Sequence, residues 1–245
     1  MRVVRNDTVA SGKEVNRMKL FGNEVRLGIL DFDGVVVDLM ANYGTILRQA
    51  ARLRGLPLEP IEAYLAGHCD GSNRGHPRFS IIVRSLWPWL SENDARAYYW
   101  AFRGEEERIG YPPIPGSIEA IGWLRENGIM VALCTMNDER AIASKLKHAG
   151  IDPAWFHSIA TRERAGYEKP DPRILEPIFA DVSVKSGDSF YVGDWYADIE
   201  VANRAGIPFV AVLSGGLPRH AFIREGVPED HIIGSLAELP KLITE

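Results

Sequence analysis

The chain has 245 residues, 46% hydrophobic and 25% charged, with a formal net charge of −5. That acidic balance excludes a broad basic face for nucleic acid or an anionic membrane. Cys69 and Cys134 make neither a disulfide framework nor a metal-type spacing, and no apolar run approaches the roughly 18 residues of a membrane span, so a cytoplasmic monomer or homodimer without nucleic-acid or membrane partners is expected.

Residues 1–18 are polar and mixed, lack the apolar stretch of a secretory signal, and read as an N-terminal extension. Val25–Leu30 then forms an apolar run that reads as a buried strand. At its end stand Asp31 and Asp33, one residue apart, followed by Gly34. Ligands of parallel α/β sheets bind at the carboxyl ends of strands. Two acids there repel each other unless a cation or chemistry compensates. Taken alone, the pair is equally a solvated turn.

A plain crossover to the next parallel strand needs about a dozen residues, yet a far longer segment intervenes, and it is rich in helix signals. Asn42 to Arg54 is stopped by Gly55, and Ser91-x-x-Asp94 reads as a capping box before Ala95–Trp100. Tyr111-Pro112-Pro113-Ile114-Pro115-Gly116 closes the segment as a stiff linker. Residues 40–112 are therefore expected as an inserted helical domain over the carboxyl ends of a sheet. The sheet itself is assigned to a core domain of residues 19–39 and 113–245.

Beyond the linker, strand-like and helix-like runs alternate. Ile129–Cys134, Ser158–Ala160, Ser189–Val192 and Pro208–Leu213 read as strands, with His231–Ile233 as a short edge strand. Helices are expected over Ser117–Asn127, Asp138–Ala149 and Tyr196–Ala205, and after Asp171 with Pro172 at the first position. Continuous apolar strands are covered on both faces. The expected fold is α/β, a Rossmann-like doubly wound parallel sheet with an inserted α-helical unit.

Three further groups sit where strands should end. Thr135 is followed by Met136 and Asn137; alone, such a threonine is most often a helix cap. Lys169-Pro170 lies in a stiff loop, where a lysine is most often exposed. Gly193-Asp194 ends the fourth main strand, and Asp198 follows, alone an acid favoured at a helix start. Their order and placement together point to one site.

The residues Asp31-Phe32-Asp33-Gly34-Val35-Val36-Val37-Asp38, Thr135, Lys169-Pro170 and Gly193-Asp194-x-x-x-Asp198 resemble the motifs of haloacid dehalogenase-like (HAD) hydrolases. The resemblance is to the branch whose α-helical cap follows the first strand. It covers about 20–39 and 113–235; over 40–112 it is one of position and helical character. Phosphoglycolate-phosphatase-like and β-phosphoglucomutase-like enzymes share these motifs. The resemblance implies a Mg²⁺-dependent phosphatase that hydrolyses a small phosphorylated metabolite through an aspartyl-phosphate. A phosphomutase, or a non-catalytic phosphometabolite-binding protein on the same fold, is the alternative.

The roles implied are specific. Asp31 would be the nucleophile and Asp33 the general acid and base. Mg²⁺ would be held by Asp31, Asp194 and the backbone carbonyl of Asp33, with Asp198 holding a metal-bound water or orienting Asp194. Lys169 would bring positive charge to the nucleophile, while Thr135, Asn137 and nearby N–H groups bind phosphoryl oxygens. Asp33 argues against C–Cl cleavage. Trp195 and Met136 depart from the small or polar residues common at their positions and leave substrate identity open. Within the inserted segment, Arg74 or Arg78 could bind a substrate carboxylate or second phosphate, although a solvated turn is the plainer reading. Asp38 is expected as a helix-start charge, and Trp87, Trp89, Tyr99 and Trp100 as packing residues. His68 and His76 are expected to be surface or satisfied residues, and Glu105-Glu106-Glu107 a solvated helix end.

Overall fold

In the computed structural model, which describes residues 17–74 and 79–245, the chain opens with a hairpin of two-residue strands, β1 (Lys19–Leu20) and β2 (Asn23–Glu24). Phe21 and Gly22 both have positive φ, the backbone a tight two-residue hairpin requires. β3 (Leu27–Leu30) follows and is buried throughout. Four helices come next, α1 (Leu39–Leu53), α2 (Glu59–Cys69), α3 (Phe79–Leu86) and α4 (Glu92–Ile109), before α5 (Ser117–Glu126) leads into β4 (Met130–Thr135). The chain then alternates through α6 (Glu139–Ala149), β5 (Ser158–Thr161), α7 (Arg162–Ala165), α8 (Glu176–Asp181) and β6 (Ser189–Gly193). It finishes with α9 (Tyr196–Ala205), β7 (Phe209–Val212), α10 (Arg219–Arg224), β8 (Ile232–Ile233) and β9 (Ile243–Thr244).

Six strands pair in the order β5-β4-β3-β6-β7-β8, all parallel. This is the α/β Rossmann-like sheet expected from the sequence. Side chains alternate across it: Leu30, Leu133, Val192 and Val210 enter one apolar core, Ile29, Ala132, Tyr191 and Ala211 the other. Both faces are apolar, which is why the strands read as continuous runs. A second sheet, β2-β1-β9, is antiparallel and was not expected. Met18, assigned to the extension, is buried beside it and accepts a hydrogen bond from the Val25 N–H. Residues 1–16, with His76 and Arg78, lie outside the described residues.

Local chemistry sets the helix ends. Asp38 caps α1 by accepting from the Ala41 N–H at 3.0 Å, as its expected helix-start role requires. Ser91 caps α4 through the Asp94 N–H at 3.1 Å, while the Asp94 carboxylate accepts the Ser91 hydroxyl at 2.6 Å. After Asp171 the chain makes a 3₁₀ turn (Pro172–Leu175) before α8, so that helix starts later than expected.

Two expectations about the inserted segment need correction. Trp87 packs edge-on against Tyr98, both buried, but Trp89 and Trp100 are 66% and 61% exposed and do not fill a core. Glu106 is buried rather than solvated, because three donors converge on it, as described below.

The sheet order fixes where a ligand would sit. β3 lies between β4 and β6. The chain fills the β4 side first and then crosses to the β6 side. The reversal opens a crevice at the carboxyl end of β3.

Candidate active site

Asp31 is the first residue beyond β3, held to β6 by its N–H on the Val192 carbonyl at 2.9 Å. The chain then turns back on itself. The N–H groups of Val36 and Val37 reach the Phe32 carbonyl, and the Gly34 N–H reaches Val37. Gly34 has φ +80°, and a Cβ there would lie 2.2 Å from Asp194 Oδ2; one on Gly215 would lie 1.8 Å from the same oxygen. Two glycines thus let the Asp194 carboxylate settle between the turn after β3 and the loop after β7.

Lys169 arrives from the loop after β5 and is almost fully buried. Its Nζ donates to Asp31 Oδ1 at 2.7 Å and to Asp198 Oδ1 at 2.6 Å. Asp198, on the first turn of α9, also accepts from the Tyr191 hydroxyl at 3.0 Å and the Trp195 N–H at 3.1 Å. Thr135 ends β4 as a buried residue, and its Oγ1 accepts from Asn137 Nδ2 at 2.7 Å. Asn137 Nδ2 also donates to Asp33 Oδ2 at 2.7 Å. Asp33, Thr135 and Asn137 thus form one hydrogen-bonded group and Asp31, Lys169 and Asp198 another, with Asp194 beside the second, all at the carboxyl end of the sheet.

Electrostatics mark the same place. Burial pushes the Asp31 carboxyl up to about 7 against the pull of Lys169, and Asp198 adds to the rise. Asp194 is held well above the usual carboxylate range by burial and by the Asp31 and Asp198 charges. Burial draws Lys169 down, but the Asp198 and Asp31 charges outweigh it and keep the ammonium above its ordinary range. Carboxylate oxygens of Asp31, Asp194 and Asp198 lie within 4.8 Å of one another. Among the described residues, no donor reaches the Asp194 carboxylate, although it is 5% exposed. A donor-free acid whose oxygens still open to the crevice, beside a second acid, fits a hard divalent cation. Asp198 is already engaged by three donors, which suits a supporting position rather than direct ligation. The Asp33 side chain stands outside this trio because Lys145 and Asn137 occupy it, so any metal contact from Asp33 falls to its backbone carbonyl.

Arg74 is not brought to the cluster. Its guanidinium pairs with Glu225, just past the end of α10, and lies over the Tyr196 ring, 4.4 Å from the centroid. Its loop is nevertheless docked on the site's far wall. The Trp195 indole donates to the Arg74 carbonyl at 3.0 Å, and the Tyr196 hydroxyl to that of Gly71 at 2.9 Å. His68 is buried and satisfied: it stacks on Trp195 with ring centroids 4.3 Å apart and contacts the Gly215 carbonyl at 3.0 Å. The unusual Trp195 is thus the platform for the end of α2 and the residues after it up to Arg74.

Two polar residues of the site escaped the sequence. Tyr191 reads as one more apolar strand residue, yet its hydroxyl holds Asp198. Lys145 reads as the surface lysine of an amphipathic helix, yet it reaches both oxygens of Asp33 at 2.8 and 2.9 Å.

Comparison with known proteins identifies the family and the fold. Residues 29–212 match the haloacid dehalogenase-like hydrolase family. The chain is 34% identical over 204 residues to a phosphoglycolate phosphatase of Pseudomonas fluorescens, spanning 79% of this chain and 71% of that protein. A 116-residue stretch is 35% identical to the phosphoglycolate phosphatase of Mesorhizobium japonicum, covering 47% of this chain and half of that protein. In fold it superposes on the crystal structure of a hydrolase from Pseudomonas syringae with a TM-score of 0.71 at 21% identity, over 89% of this chain and 97% of that one. No helix among the described residues is long and apolar enough to cross a membrane. The chain belongs to the haloacid dehalogenase-like hydrolase family, and it is an enzyme, a hydrolase whose matched curated relatives are phosphatases.

Proposed function

We propose that the chain is a Mg²⁺-dependent phosphatase that hydrolyses a small phosphorylated metabolite through a phosphoaspartate on Asp31. The observation that carries this reading is the buried Lys169 bonded to Asp31, with donor-free Asp194 beside it. Asp31 and Asp194 would hold Mg²⁺, which when bound would supply the positive charge that lets an anionic nucleophile meet a dianionic ester.

The remaining steps belong to the chain's own groups. Lys169 fixes the Asp31 side chain and draws negative charge toward itself. Thr135 and Asn137 stand at the start of α6, where the hydroxyl, amide and backbone N–H groups receive phosphoryl oxygens. Asp31 forms the bond to phosphorus as the P–O bond to the leaving group breaks. Asp33 protonates that oxygen, then takes a proton from the water that splits the phosphoaspartate. We read α1–α4 as a cap domain, residues 40–112, over a core of 19–39 and 113–245. Its docked 68–74 loop walls the site and excludes water while the ester is bound. The two free cysteines, one exposed and one buried, suit the cytoplasm.

Phosphate release with Mg²⁺ over phosphorylated acids, sugars and nucleotides tests this, beginning with phosphoglycolate, the substrate named for the relatives. Asp31→Asn should lower release by at least ~10³-fold with the fold intact. Undiminished turnover by that variant refutes the nucleophile. An isomerised sugar phosphate in place of free phosphate would point to the mutase.

A further inference from the structure

Lys145 belongs to α6, two turns beyond its start, on a helix whose other buried residues are apolar or small. Its side chain is 7% exposed and its ammonium is shared by two elements. It donates to both oxygens of Asp33, at 2.8 and 2.9 Å, and lies 3.2 Å from Glu106 Oε1 on α4. Glu106 is itself 7% exposed. It accepts from the Tyr111 hydroxyl at 3.1 Å on the same oxygen and from Arg103 on the other. The Tyr111 ring lies 5.0 Å from the Lys145 ammonium. With Asn137 on Asp33 Oδ2, every oxygen in this chain of charges is engaged.

An interhelical ion pair alone would need Lys145 and Glu106 only. The double contact with Asp33 does something more. A lysine bonded to both oxygens of a carboxylate anchors that group, and with Asn137 on one of those oxygens its rotation is fixed as well; a general acid–base works only when its free lone pair faces the reacting oxygen. Glu106 balances the lysine from the opposite side. We propose that Lys145, held by Glu106 across the α4–α6 seam, is a positioning residue that sets the orientation of the Asp33 carboxylate for its acid–base steps. This rests on the phosphatase reading above.

Three variants test it on the full chain with Mg²⁺: Lys145→Met, Lys145→Arg, and Lys145→Met combined with Glu106→Gln. Two esters serve as probes, an alkyl phosphate such as phosphoglycolate and p-nitrophenyl phosphate, whose leaving group needs no proton. Lys145→Met should lower kcat on the alkyl ester by roughly 10–100-fold with KM little changed. Phosphorylation of Asp31 by p-nitrophenyl phosphate, followed as the first turnover, should fall by less. Lys145→Arg should recover part of the loss. The double variant removes both buried charges and keeps the packing, so it should regain thermal stability yet remain slow. A double variant, or a folded Lys145→Met, that turns over the alkyl ester at the wild-type rate overturns the proposal and leaves Lys145 a structural ion pair. Equal losses of Asp31 phosphorylation from both esters overturn it too. Wild-type turnover of either ester tests the phosphatase reading separately, so the two failures are told apart.

Discussion

Asp194 shows how much a single carboxylate demands of its neighbours. It is buried, receives no hydrogen bond from the described residues, and fits only because Gly34 and Gly215 carry no side chain. Gly215→Ala would place a methyl group 1.8 Å from Asp194 Oδ2. We expect a loss of about 1–3 kcal/mol in stability together with weaker Mg²⁺ binding, read by thermal melts and by titration of the ion. Unchanged melts and affinity would mean that the loop after β7 yields freely.

Asp31 gives a pH dependence with a definite sign. An unfolded chain titrates this group near ~3.9, whereas the folded protein holds it at about 7. Between those values the native state keeps a proton that the unfolded state has released. In EDTA its contribution therefore makes stability fall as pH rises from about 4 to about 7. On the proposed reading Mg²⁺ would act in the opposite sense, because a metal ion binds the deprotonated carboxylate. Its thermal stabilisation should be larger near pH 8 than near pH 5.5, reaching about 2.7 kcal/mol at a free concentration 100 times Kd. Equal shifts at both pH values would remove Asp31 from the ion's ligands.

Among the elements, those with regular patterns were legible and those with single decisive contacts were not. The main sheet strands announced themselves because they are apolar on both faces, and Asp38, Ser91 and Asp138 cap their helices as side-chain acceptors should. β1, β2 and β9 have two residues each, too few for any periodicity to register. The acids, threonine and buried lysine of the site could be named because each stands at a strand or loop end. Lys145 and Glu106 could not, since a lysine on an amphipathic helix and a glutamate in a run of three both look solvated until α4 is laid on α6. Trp195 was visible as a departure but not as a platform. Trp195→Ser should remove the stack on His68 and the bond to the Arg74 carbonyl while sparing the carboxylate cluster. Faster amide exchange confined to about residues 68–74 is the expected result, and unchanged exchange there would show that Tyr196 and Arg74 hold the loop unaided.

Across the molecule, the site is a product of topology more than of any one segment. Asp31 and Asp33 come from the turn after β3, Thr135 and Asn137 from the end of β4, Lys169 from beyond β5, Asp194 from the end of β6 and Asp198 from the first turn of α9. One feature of the sheet bears on how the protein is made. β3 leaves the ribosome first of the six parallel strands, yet it is central, and its two neighbours emerge as residues 130–135 and 189–193. Pairings so distant along the chain are slow to form, and one flank of β3 stays open for most of synthesis. Nascent chains halted before Ser189 should carry Asp31, Thr135 and Lys169 and still neither retain Mg²⁺ nor release phosphate. Completing and releasing the chain, with the loop after β7 in place against Asp194, should switch on both together.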